Sequence, residues 1–142
     1  MDEPSGKLLY QEEAFRIRGV LFHVYRSMGA GFLEAVYQEC LGLEFARRGI
    51  PFVAEQTLGL IFDGVPLKQT YKADFVCFDR IVVEVKATRT IAPEHRAQLI
   101  NYLRATGMSL GLLVNFGATR NVEIERFALT RPLSANSAFS AV

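Results

Sequence analysis

The sequence predicts a single α/β (α+β) domain, a central mixed sheet flanked by helices, with elements in the order ααβββαββ. Three observations carry that prediction. Apolar residues recur at helical spacing over the first third of the chain. The period falls to two after Pro51. One strand near the middle, opening Ile81-Val82-Val83, is apolar on both faces. A chain of 142 residues holds one hydrophobic core rather than two.

Each element follows from a local signal. Tyr10 to Met28 is predicted helical from Phe15, Ile17, Val20, Leu21, Val24 and Met28, and Gly29-Ala30-Gly31 breaks it. A second helix is predicted from Leu33 to Arg48, stopped by Gly49 with Pro51 beyond it. Phe52 to Phe62 and Val65 to Phe78 are two long strands joined at Asp63-Gly64, a hairpin dipeptide. Asp79-Arg80 is the expected next turn, followed by a central strand from Ile81 to Ala87. Pro93 opens a helix that Gly107 closes. Ser109 to Phe116 is a buried strand, and Val122 to Leu129 alternates more, as an edge strand does. The domain is expected over residues 10–131, with flexible segments at 1–9 and 132–142.

Composition excludes several classes. Half the residues are hydrophobic and 22% are charged, which excludes intrinsic disorder. A net charge of +1 excludes a generic polybasic coat for nucleic acid or membrane, so any nucleic-acid site must be a local patch. The first residues, MDEPSGKLLYQEE, are too polar for a signal peptide, and no apolar run is long enough to span a membrane. Cys40 and Cys77 match no metal spacing and are expected as buried reduced thiols. A cytoplasmic location is the default expectation.

The chemistry concentrates in Ile81-Val82-Val83-Glu84-Val85-Lys86-Ala87. Glu84 and Lys86 are two apart, so both point to one face, about 7 Å from each other along the strand. An ionised carboxylate in a buried strand costs several kcal/mol unless something offsets it. Asp74 lies near the end of the preceding strand. Pairing through an Asp79-Arg80 hairpin sets Asp74 opposite Val85, diagonal to Glu84 and Lys86; a one-residue shift would set it against Glu84 directly. Two carboxylates this close call for a cation between them, and hard oxygen donors suit Mg²⁺ or Mn²⁺. Lys86 beside them suits work on a phosphodiester, orienting or deprotonating water, or offsetting phosphoryl charge. A structural Glu84–Lys86 ion pair is the plain alternative.

Asp74 with Glu84-Val85-Lys86 resembles the signature of the PD-(D/E)xK nuclease superfamily, with Ala73 where a proline is usual. Gln98-Leu99-Ile100-Asn101-Tyr102 is similar to the Q-x-x-x-Y motif of RecB-type members. The segment Gly29 to Tyr37, with Glu34 and Tyr37 in Glu-x-x-Tyr spacing, looks like the GxxxExxY family of small bacterial proteins, as does Gly111 to Gly117. The resemblance implies a restriction-endonuclease-like core and a metal-dependent nuclease. It implies Asp74 and Glu84 as metal ligands with the Val85 carbonyl, and Glu34 as a further acidic residue at the metal. It also implies Lys86 and Gln98 in the catalytic set and Tyr102 toward the nucleic acid.

Plainer roles stand beside these. Glu34 suits the first turn of its helix on dipole grounds alone. Tyr37 and Tyr102 also suit a core, while Gln98 and His95 suit a solvated face. The basic residues Lys72, Arg89, Arg96 and Arg104 form a candidate phosphate-binding patch, with Lys72 on the sheet face of Asp74. The partner implied is nucleic acid, DNA ahead of RNA, with a homodimer left open. The rival functions are a non-catalytic binding module on the same fold and a hydrolase of another phosphate ester.

Overall fold

A computed structural model describes residues 9–129. The expected flexible segments fall outside them, apart from Leu9, which packs on the core and whose carbonyl accepts a bond from Arg126 at 2.9 Å. The chain forms α1 (Gln11–Met28), α2 (Glu34–Arg47), β1 (Phe52–Phe62), β2 (Val65–Cys77) and β3 (Ile81–Lys86). Then follow α3 (Pro93–Thr106), β4 (Leu110–Asn115) and β5 (Glu123–Ala128). The sheet keeps chain order, β1-β2-β3-β4-β5. All neighbours are antiparallel except β3 and β4, which run parallel with α3 as the crossover between them. This is the mixed, helix-flanked α+β architecture that the sequence predicts.

Two apolar layers hold it together. On one face, Ile17, Val20 and Leu21 of α1 and Tyr37, Leu41 and Phe45 of α2 pack against Phe75, Val83, Val85, Leu112 and Val114. On the other, Leu99 and Leu103 of α3 cover Val76, Val82 and Leu113. Each such fully buried side chain contributes about 1.5–3 kcal/mol. α3 has only these two buried leucines, so close seating matters. Gly111 permits it: a Cβ there would stand 3.2 Å from methyls of both Leu99 and Leu103. Gly107, at φ 80°, ends α3 by donating its N–H to the Leu103 carbonyl. β3 and β4 lie between both layers, which is why they are apolar on both sides. Cys77 is buried, its thiol pushed up to about 12 by that burial, while Cys40 is half-buried; both are free.

Two departures from expectation position the site. The β2–β3 turn starts one residue early. Phe78 and Asp79 both take left-handed backbone, and Arg80 donates to the Cys77 carbonyl at 3.0 Å. The connection is therefore three residues, Phe78-Asp79-Arg80, rather than Asp79-Arg80. Cys77 pairs with Ile81 and Phe75 with Val83, so the register carries Asp74 to Glu84 instead of Val85. Phe78 accepts the unusual backbone because its ring packs against the core and under the Arg16 guanidinium, 5.3 Å away.

The second departure is an exchange of faces. Phe52 packs with the α1–α2 layer, yet Leu58 and Leu60, of the same parity, pack with the α3 layer. On β2, Ala73 faces α3 while Phe75 faces the opposite layer. A regular strand cannot do this, because its side-chain period is two. The break lies at Glu55, with φ 52°, between the pairs Ala54–Phe75 and Gln56–Ala73, and so across from Asp74. Left-handed backbone at a glutamate costs on the order of 1 kcal/mol. Both long strands thus turn over where Asp74 sits.

Candidate active site

The turnover at Asp74 interrupts the β2–β3 ladder, and side chains take over its hydrogen bonds. The Val85 N–H donates to Asp74 Oδ2 at 2.8 Å. The Asp74 N–H donates to Glu84 Oε2 at 3.3 Å. Each carboxylate is therefore tied to the other's strand at the break. Glu84 is half-buried beside Val82, Val83 and Val85, none of which is exposed. Burial, first, and the charge of Asp74, second, push the Glu84 carboxyl up to about 7; bonds from Tyr71 and Asp74 and the charge of Lys86 oppose the shift.

Tyr71 is a functional residue that sequence reasoning missed. Its hydroxyl donates to Glu84 Oε2, the oxygen that also receives the Asp74 N–H. The ring is 7% exposed and lies flat on Tyr102, centroids 3.9 Å apart and planes 4° apart. Burial and the neighbouring Glu84 raise its phenol further above 10, so it stays a donor. With Oε2 held by two donors, Oε1 is the freer oxygen of Glu84. The available signal was a tyrosine inside a buried strand segment, whose hydroxyl needs a polar partner.

The other expected residues gather at the same place in different degrees. Lys86, Gln98, His95 and Tyr102 line one narrow cleft with Glu84 and Tyr71. Tyr102 stacks on Tyr71, so its ring braces the site. His95 sits in the first turn of α3, where its Nδ1 accepts from the Ala92 N–H at 3.1 Å; a neutral ring then carries its proton on Nε2. Glu34 opens α2. Its carboxyl is raised above 4.5 by burial, against Lys86 and His95 and with Asp74 adding, which puts it in the field of the same charges. Tyr37, one turn on, closes the loop that presents it: the Tyr37 hydroxyl donates to the Gly29 carbonyl and accepts the Phe32 N–H, and its ring stacks on Phe116 at 4.5 Å. Asp74 also borders a wider groove of about 460 Å³ against α2, shared with Gln38, Leu43 and Glu55.

The basic residues divide. Arg96 forks onto Glu125 of β5, at 2.7 and 2.8 Å, so its guanidinium is already engaged by a carboxylate. Lys72 is exposed on β2 opposite Thr57, and Arg89 is exposed in the loop after β3.

A divalent cation fits the donor set in kind. Two carboxylates lie within each other's field with one free oxygen apiece beyond the bonds described, and the repulsion between them is what a cation relieves. Among the described residues, no three His, Cys, Asp or Glu side chains close a complete protein cage. An open coordination shell leaves room for substrate oxygens and water.

A family model for the PD-(D/E)XK nuclease superfamily matches residues 11–127. A solved structure described as the crystal structure of SSO0001 resembles the chain at 19% identity and a TM-score of 0.48, covering 93% of this chain and 64% of that one. No curated protein matches the chain.

Proposed function

The chain belongs to the PD-(D/E)XK nuclease superfamily, and on that premise we propose that it is a metal-dependent nuclease hydrolysing phosphodiester bonds of nucleic acid, DNA ahead of RNA. The observation that carries the proposal is the mutual grip of Asp74 and Glu84, two carboxylates each bonded to the other's strand at a break in the ladder beside Lys86. Neutral amide side chains could accept the same two N–H groups, so these hydrogen bonds alone do not call for acids. No described arginine pairs with either of them.

Asp74, Glu84 and the Val85 carbonyl would hold Mg²⁺ or Mn²⁺. The ion when bound would stabilise charge on the phosphoryl oxygens and on the attacking oxygen. Tyr71 and the Asp74 N–H fix the Glu84 carboxylate, so its free oxygen is aimed before the ion arrives. Lys86, from the same strand and face as Glu84, positions water or offsets charge on the phosphate. Gln98 reaches the cleft from α3, and Glu34 completes the acidic rim from α2. Lys72 and Arg89 supply phosphate contacts; Arg96 takes part only by releasing Glu125. The Glu34-x-x-Tyr37 segment, with Tyr37 closing the loop beneath Glu34, supports the narrower GxxxExxY relationship.

The test is turnover of labelled DNA and RNA, single- and double-stranded, with Mn²⁺, Mg²⁺ or chelator. Cleavage that needs the ion and disappears in Glu84→Gln and Lys86→Ala is the expected result. Cleavage unaffected by both substitutions refutes the assignment. Ion-independent binding without cleavage identifies a non-catalytic module instead.

A further inference from the structure

Beyond the carboxylate site, the ends of β3 and β4 carry a second cleft. It lies between the β3–α3 loop and the β4–β5 loop, encloses about 320 Å³, and is lined by Arg89, Thr119, Arg120, Asn121 and Glu123. We propose that it binds a backbone phosphate of the nucleic-acid strand, away from the bond that is cut. This rests on the nuclease reading and adds to it a substrate-holding site.

The cleft is built rigidly. Asn115 is 0% exposed and uses both ends of its amide. Its Oδ1 accepts the Thr88 N–H at 2.9 Å and the Gly117 N–H at 3.0 Å, one from each loop. Its Nδ2 donates to Glu123 Oε1 at 2.9 Å. The loops are pressed together so closely that a Cβ on Gly117 would stand 2.0 Å from the Thr88 carbonyl oxygen. Tyr25 of α1 ties down the second loop from behind, its hydroxyl donating to the Ala118 carbonyl at 2.6 Å. Such pinning costs a buried polar side chain and a glycine, and it fixes the relative position of the two loops.

What the pinned loops present is two exposed guanidinium groups, Arg89 and Arg120. Neither forms an ion pair among the described residues. The carboxylate lining the same cleft, Glu123, already accepts the Asn115 amide. Two like charges lining one cleft, one from each loop, are favoured by an anion between them, and the guanidinium fork matches a phosphate in geometry. Thr119 and Asn121 add neutral donors of the kind that fix a strand's register without reading its bases. Arg89 lies three residues past Lys86 along the chain, so the cleft continues directly from the end of the catalytic strand.

The test separates binding from cleavage. The affinity of a fluorescently labelled oligonucleotide is measured by anisotropy in chelator, where no metal-dependent turnover occurs, at stepped salt concentrations. For Arg89→Ala with Arg120→Ala, the slope of log affinity against log salt should fall by about 2, one for each lost phosphate contact. Arg18→Ala removes the same charge from α1, where no described ion pair uses it, and should leave the slope unchanged. With the activating ion present, the double variant should raise KM and keep kcat. Both arginines are exposed, so thermal melting of the variants should match the parent. An unchanged slope in the double variant, or a slope equally reduced by Arg18→Ala, overturns the cleft while leaving the nuclease reading intact. A parent protein with no affinity for any polynucleotide overturns both.

Discussion

Two glutamates with little solvent around them meet opposite fates in this molecule. Glu44 of α2 is 8% exposed and flanked by two guanidinium groups, Arg48 at 2.8 Å and Arg47 at 3.3 Å, with the His23 imidazole at 3.9 Å. Its carboxyl is held below 4.5, chiefly by the Arg48 hydrogen bond. Glu84 of β3 is acted on more by the negative charge of Asp74 than by the positive charge of Lys86, and burial together with Asp74 raises its carboxyl. The first is finished; its charge is spent inside the fold. The second is left with unbalanced negative charge, held in place by donors that orient it without neutralising it. Burial of an acid is thus a poor guide to function, and the sign of what surrounds it is a better one.

That contrast can be broken most forcefully at Glu84. Glu84→Gln should reduce turnover by about 10³-fold or more, since it removes a charge that both the ion and the site's geometry depend on. In chelator the same variant should melt no lower than the parent, because an unfavourable charge pair has been relieved. Mn²⁺ should raise the parent's Tm by linkage and leave the variant's unmoved. A variant that melts much lower in chelator would show Glu84 to be structural, like Glu44.

A subtler change is Tyr71→Phe. The ring can still stack on Tyr102, and only the donor to Glu84 Oε2 goes. Loss of such an orienting bond should weaken Mn²⁺ affinity or turnover by about 10–100-fold. Equal activity and equal metal affinity would mean that the hydroxyl aims nothing.

Glu44→Gln should do the reverse of Glu84→Gln. Turnover stays at the parent level, and stability falls by about 1 kcal/mol, read by denaturant titration. The figure is modest because Arg47 and Arg48 are partly solvated and regain water. The pH dependence is smaller still. The Glu44 pKa is depressed in the folded state, so its contribution is fully present above 4.5 and is lost as pH falls through the depressed value. Stability of the parent should drop more steeply than that of Glu44→Gln on acidification below pH 4.5. Parallel curves would show that the Arg48 bond has no net value.

Much of this was legible in the residues. β1 and α3 begin and end where their patterns do, because hairpin and helix punctuation is local: Asp63-Gly64 for one, Pro93 and Gly107 for the other. Asp74, Glu84 and Lys86 stood out because charges in an apolar strand need a reason. The β2–β3 register is the one-residue shift that the sequence left open beside the Asp74–Val85 pairing, since nothing in it marks Phe78 as willing to take left-handed backbone. Its ring is held by α1, which is distant in sequence. Tyr71 was missed for the same reason: its partners, Glu84 and Tyr102, come from two other elements. Arg96 looked free in the sequence and is held by Glu125, a long-range ion pair that no spacing rule reports.

The exchange of faces at Glu55 and Asp74 has one more consequence. Beyond that point β1 and β2 stay paired and rest on the α3 layer through Leu58 and Leu60, and only from Ile61 to Thr70 is every residue exposed. Phe62 and Val65 stand more than half exposed in that outer part. The two strands that hold Asp74 therefore also carry an apolar arm into solvent, with α3 as the seat between the two.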